Sequence, residues 1–317
     1  MKKSRAPAIT VAVLLVGGCV APFAISSFHT FQLTQILIYA IALLGLNLLT
    51  GYSGQISLGH GAFYGIGAYA AAILLDHAWL PYWATIPVAG AVCFAVGFGF
   101  GLPALRLEGP YLALATFALA IATPQILKHD ALEKWTGGVQ GILLDKPEPP
   151  GLLAGPLDAD QWLYFLCLVF VVVSYVIGWN LVRGRTGRAL IAIRDQPIAA
   201  AAMGIDTALY KSTTFGLSAM YTGVAGALGA LLTGFVSPDS FTILVSINFL
   251  VGVVVGGMAS ILGNLFGALF IVIVPNIASD ISESAPWAIY GALLILIMIL
   301  MPRGFAGMVR AVAARRG

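Results

Sequence analysis

The segment Gly51–Leu75 places three polar side chains in a stretch of sequence that is otherwise as apolar as a membrane span. The three are Gln55, Ser57 and His60, and glycines lie between and around them. A polar group inside a bilayer is costly unless it faces a bundle interior or water, and glycine lets neighbouring backbones approach closely. Six residues are predicted to line a translocation path or to support its packing: Asn47, Gln55, Ser57, Gly59, His60 and Gly61. The alternative is that the polar side chains only form hydrogen bonds between packed helices.

Residues that could catalyse a reaction or bind a cofactor form no recognisable pattern. No glycine precedes any lysine, so the sequence contains no P-loop for ATP. The histidines at positions 29, 60, 77 and 129 lack a second metal ligand at helical spacing. Cys19, Cys93 and Cys167 have unrelated spacing inside apolar stretches. We expect no enzyme activity, cofactor or metal, with an intramembrane enzyme as the alternative.

The composition is that of a polytopic membrane protein. The chain is 60% hydrophobic and 9% charged, with a mean hydropathy of +0.96, which excludes an ordinary soluble globular domain. Because a spanning helix needs roughly 20 apolar residues, an all-α fold with about ten transmembrane helices is predicted. The ten spans are about Ala8–Phe28, Gln32–Leu49, Leu58–Leu75, Tyr82–Leu102, Pro110–Leu127, Trp162–Leu181, Ser212–Phe235, Thr242–Leu262, Leu265–Ala278 and Pro286–Leu300. The third and ninth are short, so re-entrant segments are the alternative there.

The distribution of basic residues predicts the orientation. With ten spans and a cytoplasmic start, all Lys and Arg residues except Lys128, Lys134 and Lys146 fall on the cytoplasmic side. Cytoplasmic loops retain Lys and Arg, so both termini are expected in the cytoplasm of a bacterial inner membrane. The net charge of +3 then reflects topology. We expect no nucleic-acid partner, because the basic residues are dispersed beside spans.

The first apolar run is expected to remain part of the protein. Lys2, Lys3 and Arg5 precede it as in a signal peptide, and the stretch ending at Cys19 loosely resembles a lipoprotein cleavage site. The run continues to Phe28 and is long enough to span, so cleavage is not expected.

The ten spans divide into two halves around a long loop from Lys128 to Gln161. Five crossings on each side would give the second half the opposite orientation, and inverted halves are a recurring plan of transporters. A weak sequence similarity between Ser57–Phe63 and Asn264–Phe270, each a polar and small-residue interruption near a span, agrees with such an inverted five-plus-five arrangement.

The loop over residues 183–211 is predicted to form two short helices on the cytoplasmic side. Arg188–Arg194 would form the first, Asp195 or Gln196 would cap the second, and Gly204 would end it in the left-handed conformation. The loop would present one apolar ridge flanked by arginines: Leu190, Ile191, Ile193, Ile198 and Met203. It would either lie on anionic membrane lipid or dock into the groove of a cytoplasmic partner.

Six motifs, in order along the chain, together resemble one family, the inner-membrane permeases of branched-chain amino acid ABC importers. They are GYSGQISLGHGAFYGIGAY from Gly51, LRLEGPYLALATFALA from Leu105, TGGVQGI from Thr136, GRALIAIRDQPIAAAAMGID from Gly187, GVVVGGMASILGNLFGALF from Gly252 and MPRGFAGMV from Met301. The resemblance covers most of the chain from Gln32 to Val309. It implies a single permease domain over residues 1–317, with a coupling loop at 183–211.

The resemblance also implies partners and roles for loop residues. A second related permease, two cytoplasmic ATP-binding subunits and an extracytoplasmic substrate-binding protein would complete the importer. The loop that couples to the ATPase in that family matches Gly187, Arg188, Arg194, Asp195 and Gly204 here. One departure is that Pro197 is followed by an alanine-rich run where the family commonly has a more acidic stretch. The departure leaves the position of the loop unaffected and the contacts with the partner open.

The substrate implied by the resemblance is leucine, isoleucine or valine. Related permeases carry urea or short amides, and that alternative stays open because selection resides largely in the external binding protein. An ion-coupled secondary transporter is a further alternative, although it would usually need a carboxylate within the membrane.

Overall fold

The computed structural model describes residues 18, 20–78, 80–105, 107, 109–151, 157–281, 285–301 and 304–308, and these are mainly helical. The predicted first span, Ala8–Phe28, lies largely outside them. The helices are α1 (Ser27–Asn47), α2 (His60–Ala78), α3 (Tyr82–Ala104), α4 (Pro110–Leu127), α5 (Asp130–Thr136), α6 (Ala159–Arg183), α7 (Arg185–Asp195), α8 (Pro197–Ala202), α9 (Thr207–Thr233), α10 (Ile243–Gly256), α11 (Gly263–Ile281) and α12 (Pro286–Leu300). A π-helical turn (Leu48–Tyr52) follows α1, a 3-10 turn (Pro238–Ser240) precedes α10, and strands β1 (Ile142–Leu143) and β2 (Phe235–Val236) pair antiparallel.

Eight helical segments in the described part of the chain are long and apolar enough to cross a membrane. They correspond to predicted spans two, four to eight, nine and ten, which confirms the polytopic all-α prediction. The third predicted span is the helix α2, and it and α11 each have 19 residues without interruption. At 1.5 Å per residue each is about 28 Å long, close to the thickness of a bilayer core. Both helices are therefore long enough to cross a membrane, and α11 is also among the eight segments that are apolar enough.

Three predicted span boundaries are wrong by five residues or more. The second span begins at Ser27 rather than Gln32. The eighth span was expected to continue to Leu262, but α10 ends at Gly256 and residues 257–262 form a non-helical turn. Hydropathy does not detect this break because the residues in it are mostly apolar. The seventh span begins at Thr207 rather than Ser212, because Asp206 accepts a hydrogen bond from the backbone N–H of Leu209 (3.0 Å) and caps α9.

Helices α1 and α9 form the centre of the bundle, with 78% and 83% of their most apolar stretches buried. Small residues permit this packing. A Cβ on Gly67 of α2 would collide with the backbone of Gly223 in α9, and one on Gly97 of α3 would collide with Ala219. By contrast, α4, α6 and α12 are mostly exposed, so their outer faces are available to lipid or to a partner.

The contacts of α1 and α9 follow an inverted five-plus-five order. In that order α1, α2 and α3 correspond to α9, α10 and α11. Helix α1 packs against α10 and α11, and α9 packs against α2 and α3, as an approximate twofold relation requires. The sequence similarity between Ser57–Phe63 and Asn264–Phe270 does not reflect this relation. It compares the start of α2 with the start of α11, whereas the counterpart of α2 is α10.

The loop between the halves is folded and ties them together. Three glycines with positive φ, Gly137, Gly138 and Gly141, shape the connection from α5 to β1. A Cβ on Gly141 would collide with the carbonyl of Val236, so only glycine allows β1 to approach β2 here. An ion pair between Lys128 and Asp239 joins the same two regions.

Candidate functional site

The connection between α1 and α2 contains an interrupted helix. Helix α1 continues into the π-helical turn, an element frequent at functional sites, and residues 53–59 are then non-helical up to His60. Gly51 is required in this turn because a Cβ would collide with Asn47 Oδ1 and would lie 2.5 Å from the backbone N of Ala259. Gly54 has a φ of +74°. We call residues 48–59 the inner break.

His60 is the centre of a buried chain of hydrogen bonds. Ser218 Oγ lies 2.6 Å from Gly45 O and therefore donates its only proton to that carbonyl. It must then accept from His60 Nε2, which is 2.6 Å away. The ring Nδ1 consequently accepts from Ser57 Oγ (3.1 Å), which itself accepts from Gly59 N–H (3.2 Å). One proton on the ring satisfies every bond, so the chain joins α2 to α9 and α1 with a defined direction.

Hydroxyl groups from two other helices accept from N–H groups just before α2 and in its first turn. Thr116 Oγ1 of α4 accepts from Leu58 N–H at 2.9 Å, and Ser246 Oγ of α10 accepts from Gly61 N–H at 2.8 Å. Gly61 leaves room for this contact, because a Cβ at this position would lie only 2.7 Å from Ser246 Oγ. Such N–H groups need a partner outside the helix, and here the tertiary fold supplies it.

The structure places Asn47 apart from the His60 chain, although the sequence grouped them. Its side chain makes three hydrogen bonds, two to the turn between α10 and α11 and one to Asn264 at the start of α11. Nδ2 donates to Ser260 O (3.0 Å) and to Asn264 Oδ1 (2.9 Å), and Oδ1 accepts from Ala259 N–H (2.8 Å). Ala259 has a φ of +56°, a strained value for alanine. We call residues 257–262 the second break, and Asn47 joins it to the inner break.

The serines and threonines that complete these bonds were not found from the sequence. Thr116, Ser218, Ser246 and Ser260 each stand alone in apolar surroundings. Isolated hydroxyl residues in helices commonly bond to their own backbone, so composition gives no signal for them. They are identified only by their hydrogen-bond distances to other residues in the folded protein.

The loop at 183–211 forms the two predicted helices, α7 and α8, but its apolar ridge is divided. Leu190 and Ile193 are buried against the protein, whereas Ile198 and Met203 are 84% and 83% exposed. The predicted single ridge is therefore wrong, because the apolar face of α7 packs on its own chain. Only α8 presents apolar side chains outward.

The predicted caps of α8 are partly wrong. Gln196 is the N-cap residue but its side chain makes no capping bond, and the Asp195 carboxylate instead accepts from Arg194 Nε at 2.9 Å. Gly204 has a φ of +83°, and Ile205 N–H donates to Ala200 O at 3.1 Å, so the left-handed ending is confirmed.

The remaining loop residues have distinct surroundings. Gly187 allows α7 to begin directly after α6, because a Cβ there would collide with the backbone of Val182. Arg188 is exposed, and its Nη1 lies 3.4 Å from Arg183 O.

Arg194 reaches inward from α7 to the inner break. Its Nη1 donates to Gly51 O at 2.8 Å, and a Cβ on Gly54 would lie 2.7 Å from its Cγ. The two groups are 143 residues apart in sequence, so the sequence did not predict their contact. The loop at 183–211 and the inner break are therefore attached to each other.

A cavity of about 160 Å³ lies at this junction, and we call it the inner cavity. Ser53, Gly54 and Gln55 of the inner break line it together with Arg194 of α7 and Lys211 of α9. Gln55 donates to Ser53 Oγ at 2.7 Å. The inner cavity is polar and carries two cationic side chains. Among the described residues, no group of three or more His, Cys, Asp and Glu could hold a metal ion.

The fold and the site define a multi-span helical membrane protein of the transporter type. Two interrupted helical connections meet inside the bundle, and hydrogen bonds join them to each other and to a structured loop. Broken helices at the interface of inverted halves are characteristic of transporters.

Comparison with known proteins gives the family. The model of the family described as "Branched-chain amino acid transport system / permease component" matches residues 29–302. The chain belongs to this family.

Relatives with this family's function are similar over most of their length. The permease protein LivM of the high-affinity branched-chain amino acid transport system of Escherichia coli is 35% identical, over 94% of this chain and 74% of LivM. BraD of Pseudomonas aeruginosa and LivH of Escherichia coli, permease proteins of systems with the same name, are 25% and 24% identical over 85% of this chain and 91% of each relative. The chain is thus more similar to LivM than to LivH.

Proposed function

We propose that this chain is a permease subunit of an ABC importer that carries branched-chain or other apolar amino acids into a bacterial cell. The names of its relatives support the substrate class. The lack of a P-loop in the sequence supports hydrolysis of ATP by other subunits. The complete importer contains a second related permease, two cytoplasmic ATP-binding subunits and an extracytoplasmic substrate-binding protein.

The positions of the acidic side chains favour ATP over an ion gradient as the energy source. In the described part of the chain, Asp and Glu lie in loops or in the terminal turns of helices, as Asp76, Asp160 and Asp280 do. Ion-coupled transporters usually hold a carboxylate at membrane depth. This distribution offers no such group for coupling.

The contact between Arg194 and Gly51 carries the mechanistic part of the proposal. Movement of the ATP-binding subunits displaces α7 and α8, and Arg194 transmits the displacement to the inner break. Because Asn47 joins that break to the second break, and the His60 chain joins it to α9, one displacement reaches both halves of the protein. Arg188 and the exposed Ile198 and Met203 contact the ATP-binding subunit.

Gly187, Gly204 and Asp195 keep the helices of the loop and the side chain of Arg194 in the positions that this coupling requires. Gly187 keeps α7 against the end of α6, Gly204 ends α8, and Asp195 holds the guanidinium of Arg194 in place. In the same scheme, Gln55 faces the solute at the inner cavity. Asn47, Ser57, Gly59, His60 and Gly61 set the positions of the two breaks.

Substitution of Arg194 tests whether this side chain transmits movement to the inner break without affecting association with the ATP-binding subunits. In the reconstituted importer, Arg194→Ala removes the bond to Gly51 O and should reduce substrate uptake at least about tenfold, since a bond between a charged and a buried group contributes about 1.5–3 kcal/mol. Association with the ATP-binding subunits and their basal ATP hydrolysis should remain. Arg194→Lys, which can still donate one bond, should restore part of the uptake.

The exposed Arg188 serves as the matched comparison. Arg188→Glu should weaken association with the ATP-binding subunits, because its side chain faces outward. Full uptake by Arg194→Ala, or loss of ATPase association by that variant, would show that Arg194 does not connect the loop to the inner break.

A further inference from the structure

A second cavity, of about 140 Å³, lies at the end of the bundle opposite α7 and α8, and we call it the outer cavity. Its wall is formed by the first half of α1, by Tyr64 of α2, by the last turns of α9 and by the connection from β2 to α10. We propose that the outer cavity receives the apolar side chain of the amino acid during uptake. This inference rests on the proposed function and adds to it a location and a size limit for that side chain.

The wall of the outer cavity is mainly apolar, and its described residues carry no charge. Phe31, Ile38, Leu232 and Val245 contribute apolar side chains, and the described residues that line it include no Asp, Glu, Lys or Arg. Burying an unpaired charge in such a place is costly. An aliphatic side chain gains about 25 cal/mol per Å² of apolar surface removed from water. The wall therefore favours the uncharged end of an amino acid.

A few polar groups accompany the apolar wall, as in most small-molecule sites. The amide of Gln35 donates to Tyr39 Oη at 3.3 Å, and Ser240 lies on the connection that precedes α10. These groups come from both halves of the chain. A zwitterion with its side chain in the cavity would have its charged groups directed toward such polar atoms and the water outside.

Tyr64 closes the outer cavity toward the centre of the bundle. Its ring packs against Tyr39, Phe241 and Phe249 at centroid distances of 6.2, 6.0 and 5.5 Å. A Cβ on Gly229 would collide with the Tyr64 hydroxyl, so the Tyr64 side chain packs directly against α9. We call these four rings the aromatic floor.

The aromatic floor lies beside the His60 chain. Tyr64 follows His60 by four residues in α2, so both side chains lie on the same face of that helix. Five sites therefore follow one another along the bundle where α1, α2 and α9 pack together. They are the outer cavity, the aromatic floor, the His60 chain, the inner break and the inner cavity. A movement of the inner break reaches the aromatic floor through a single helix.

The volume of the outer cavity sets a limit on the ligand. An apolar cavity of about 150 Å³ holds one benzene molecule, so about 140 Å³ holds the branched side chain of valine, leucine or isoleucine. The cavity should therefore distinguish side chains by size even when the binding protein delivers them equally well.

Substitution of Val245, which lines the cavity, tests this inference. Initial uptake of leucine and of valine is measured in vesicles containing the whole importer, with the binding protein saturated by each amino acid. Val245→Phe fills the cavity and should lower the ratio of leucine to valine uptake about tenfold, because one methylene in an apolar pocket is worth roughly that factor. Val245→Ala enlarges it and should raise the same ratio severalfold.

Val254→Phe is the matched control. Val254 lies on the same helix but lines a different cavity, beside Ile297 and Met298, so the ratio should equal that of the wild type. An unchanged ratio of leucine to valine uptake in Val245→Ala would overturn the inference. This test holds even if the Val245→Phe variant does not assemble. A wild-type importer that takes up neither amino acid would contradict the proposed function itself, whereas uptake with unaltered ratios contradicts only the assignment of the cavity.

Discussion

At the residue scale, the orientation of each hydrogen bond in the His60 chain is determined by the one before it. The carbonyl of Gly45 can only accept, so it fixes the proton of Ser218 and, through Ser218, the proton of the imidazole. A buried chain of this kind is stable only when every member is satisfied. Removal of one hydroxyl therefore takes a hydrogen bond away from both of its neighbours in the chain.

Ser218→Ala tests that dependence. It leaves His60 Nε2–H without a partner in a buried place, which costs about 1–3 kcal/mol, whereas Gly45 O keeps the backbone N–H of Leu48 as a donor. We expect a clear loss in the free energy of unfolding of the purified protein in detergent. Ser279→Ala is the comparison, because Ser279 is exposed and donates only to the carbonyl of Pro275 in its own helix. Equal stability of the two variants would show that the chain does not hold α2 to α9.

The sequence located the polar residues of the site but not their partners. Gln55, Ser57 and His60 stand out because amide and imidazole groups are rare in apolar spans. Ser218 and Ser246 do not, because a single hydroxyl can satisfy itself on the preceding turn. Asn47 was grouped with His60 by proximity in sequence, and the π-helical turn directs it instead to the second break.

At the scale of elements, glycine determines which helices touch. Gly67 and Gly223 bring α2 and α9 into backbone contact, so α9 can lie at the centre of the bundle. Helices in a membrane associate through such close packing, since apolar burial alone does not distinguish a helix from lipid.

Gly67→Ala and Gly99→Ala form a matched pair that tests this packing. A Cβ on Gly67 would collide with backbone atoms of Gly223, which cannot move without displacing α9, whereas a Cβ on Gly99 meets nothing within 4 Å. Overpacking of this kind costs about 1–3 kcal/mol. We expect a lower melting temperature and reduced uptake for Gly67→Ala only. A similar loss for Gly99→Ala would point to a general effect of the added methyl group.

Hydropathy predicted the long helices and failed at the breaks. The spans at α3, α4 and α12 are continuous apolar runs, and their predicted and observed bounds agree to within a few residues. The second break was assigned to a span because Met258, Ile261 and Leu262 are apolar, and the left-handed conformation of Ala259 has no signature in composition. The buried face of α7 was missed for a related reason, since amphipathicity shows that a face is apolar but not what covers it.

At the scale of the whole molecule, the division into inverted halves determines where each loop lies. The arginines of α7 and its flanks predict, by the positive-inside rule, that α7 and α8 lie on the cytoplasmic side and that α5 and β1 lie on the opposite side. The outer and inner cavities lie at the corresponding ends of the bundle.

Labelling of introduced cysteines tests the orientation. Cysteines replacing Glu148 and Asp158, both exposed, should react with an impermeant thiol reagent added outside intact cells. A cysteine replacing the exposed Arg188 should react only after the membrane is opened. The protein with its natural cysteines gives the background, and Cys93 and Cys167 are buried. Labelling of position 188 from outside would reverse the orientation and with it the assignment of the two cavities.

We propose that this chain forms the path of an ATP-driven importer in which other subunits hydrolyse the ATP. The most direct measurement is leucine accumulation in vesicles that contain this chain, the related permease and the two ATP-binding subunits, with the binding protein supplied on the outer side. We predict accumulation that requires ATP, the binding protein and this chain together, and none when this chain is omitted. Accumulation without ATP in response to an ion gradient, or full accumulation in vesicles that lack this chain, would contradict the account.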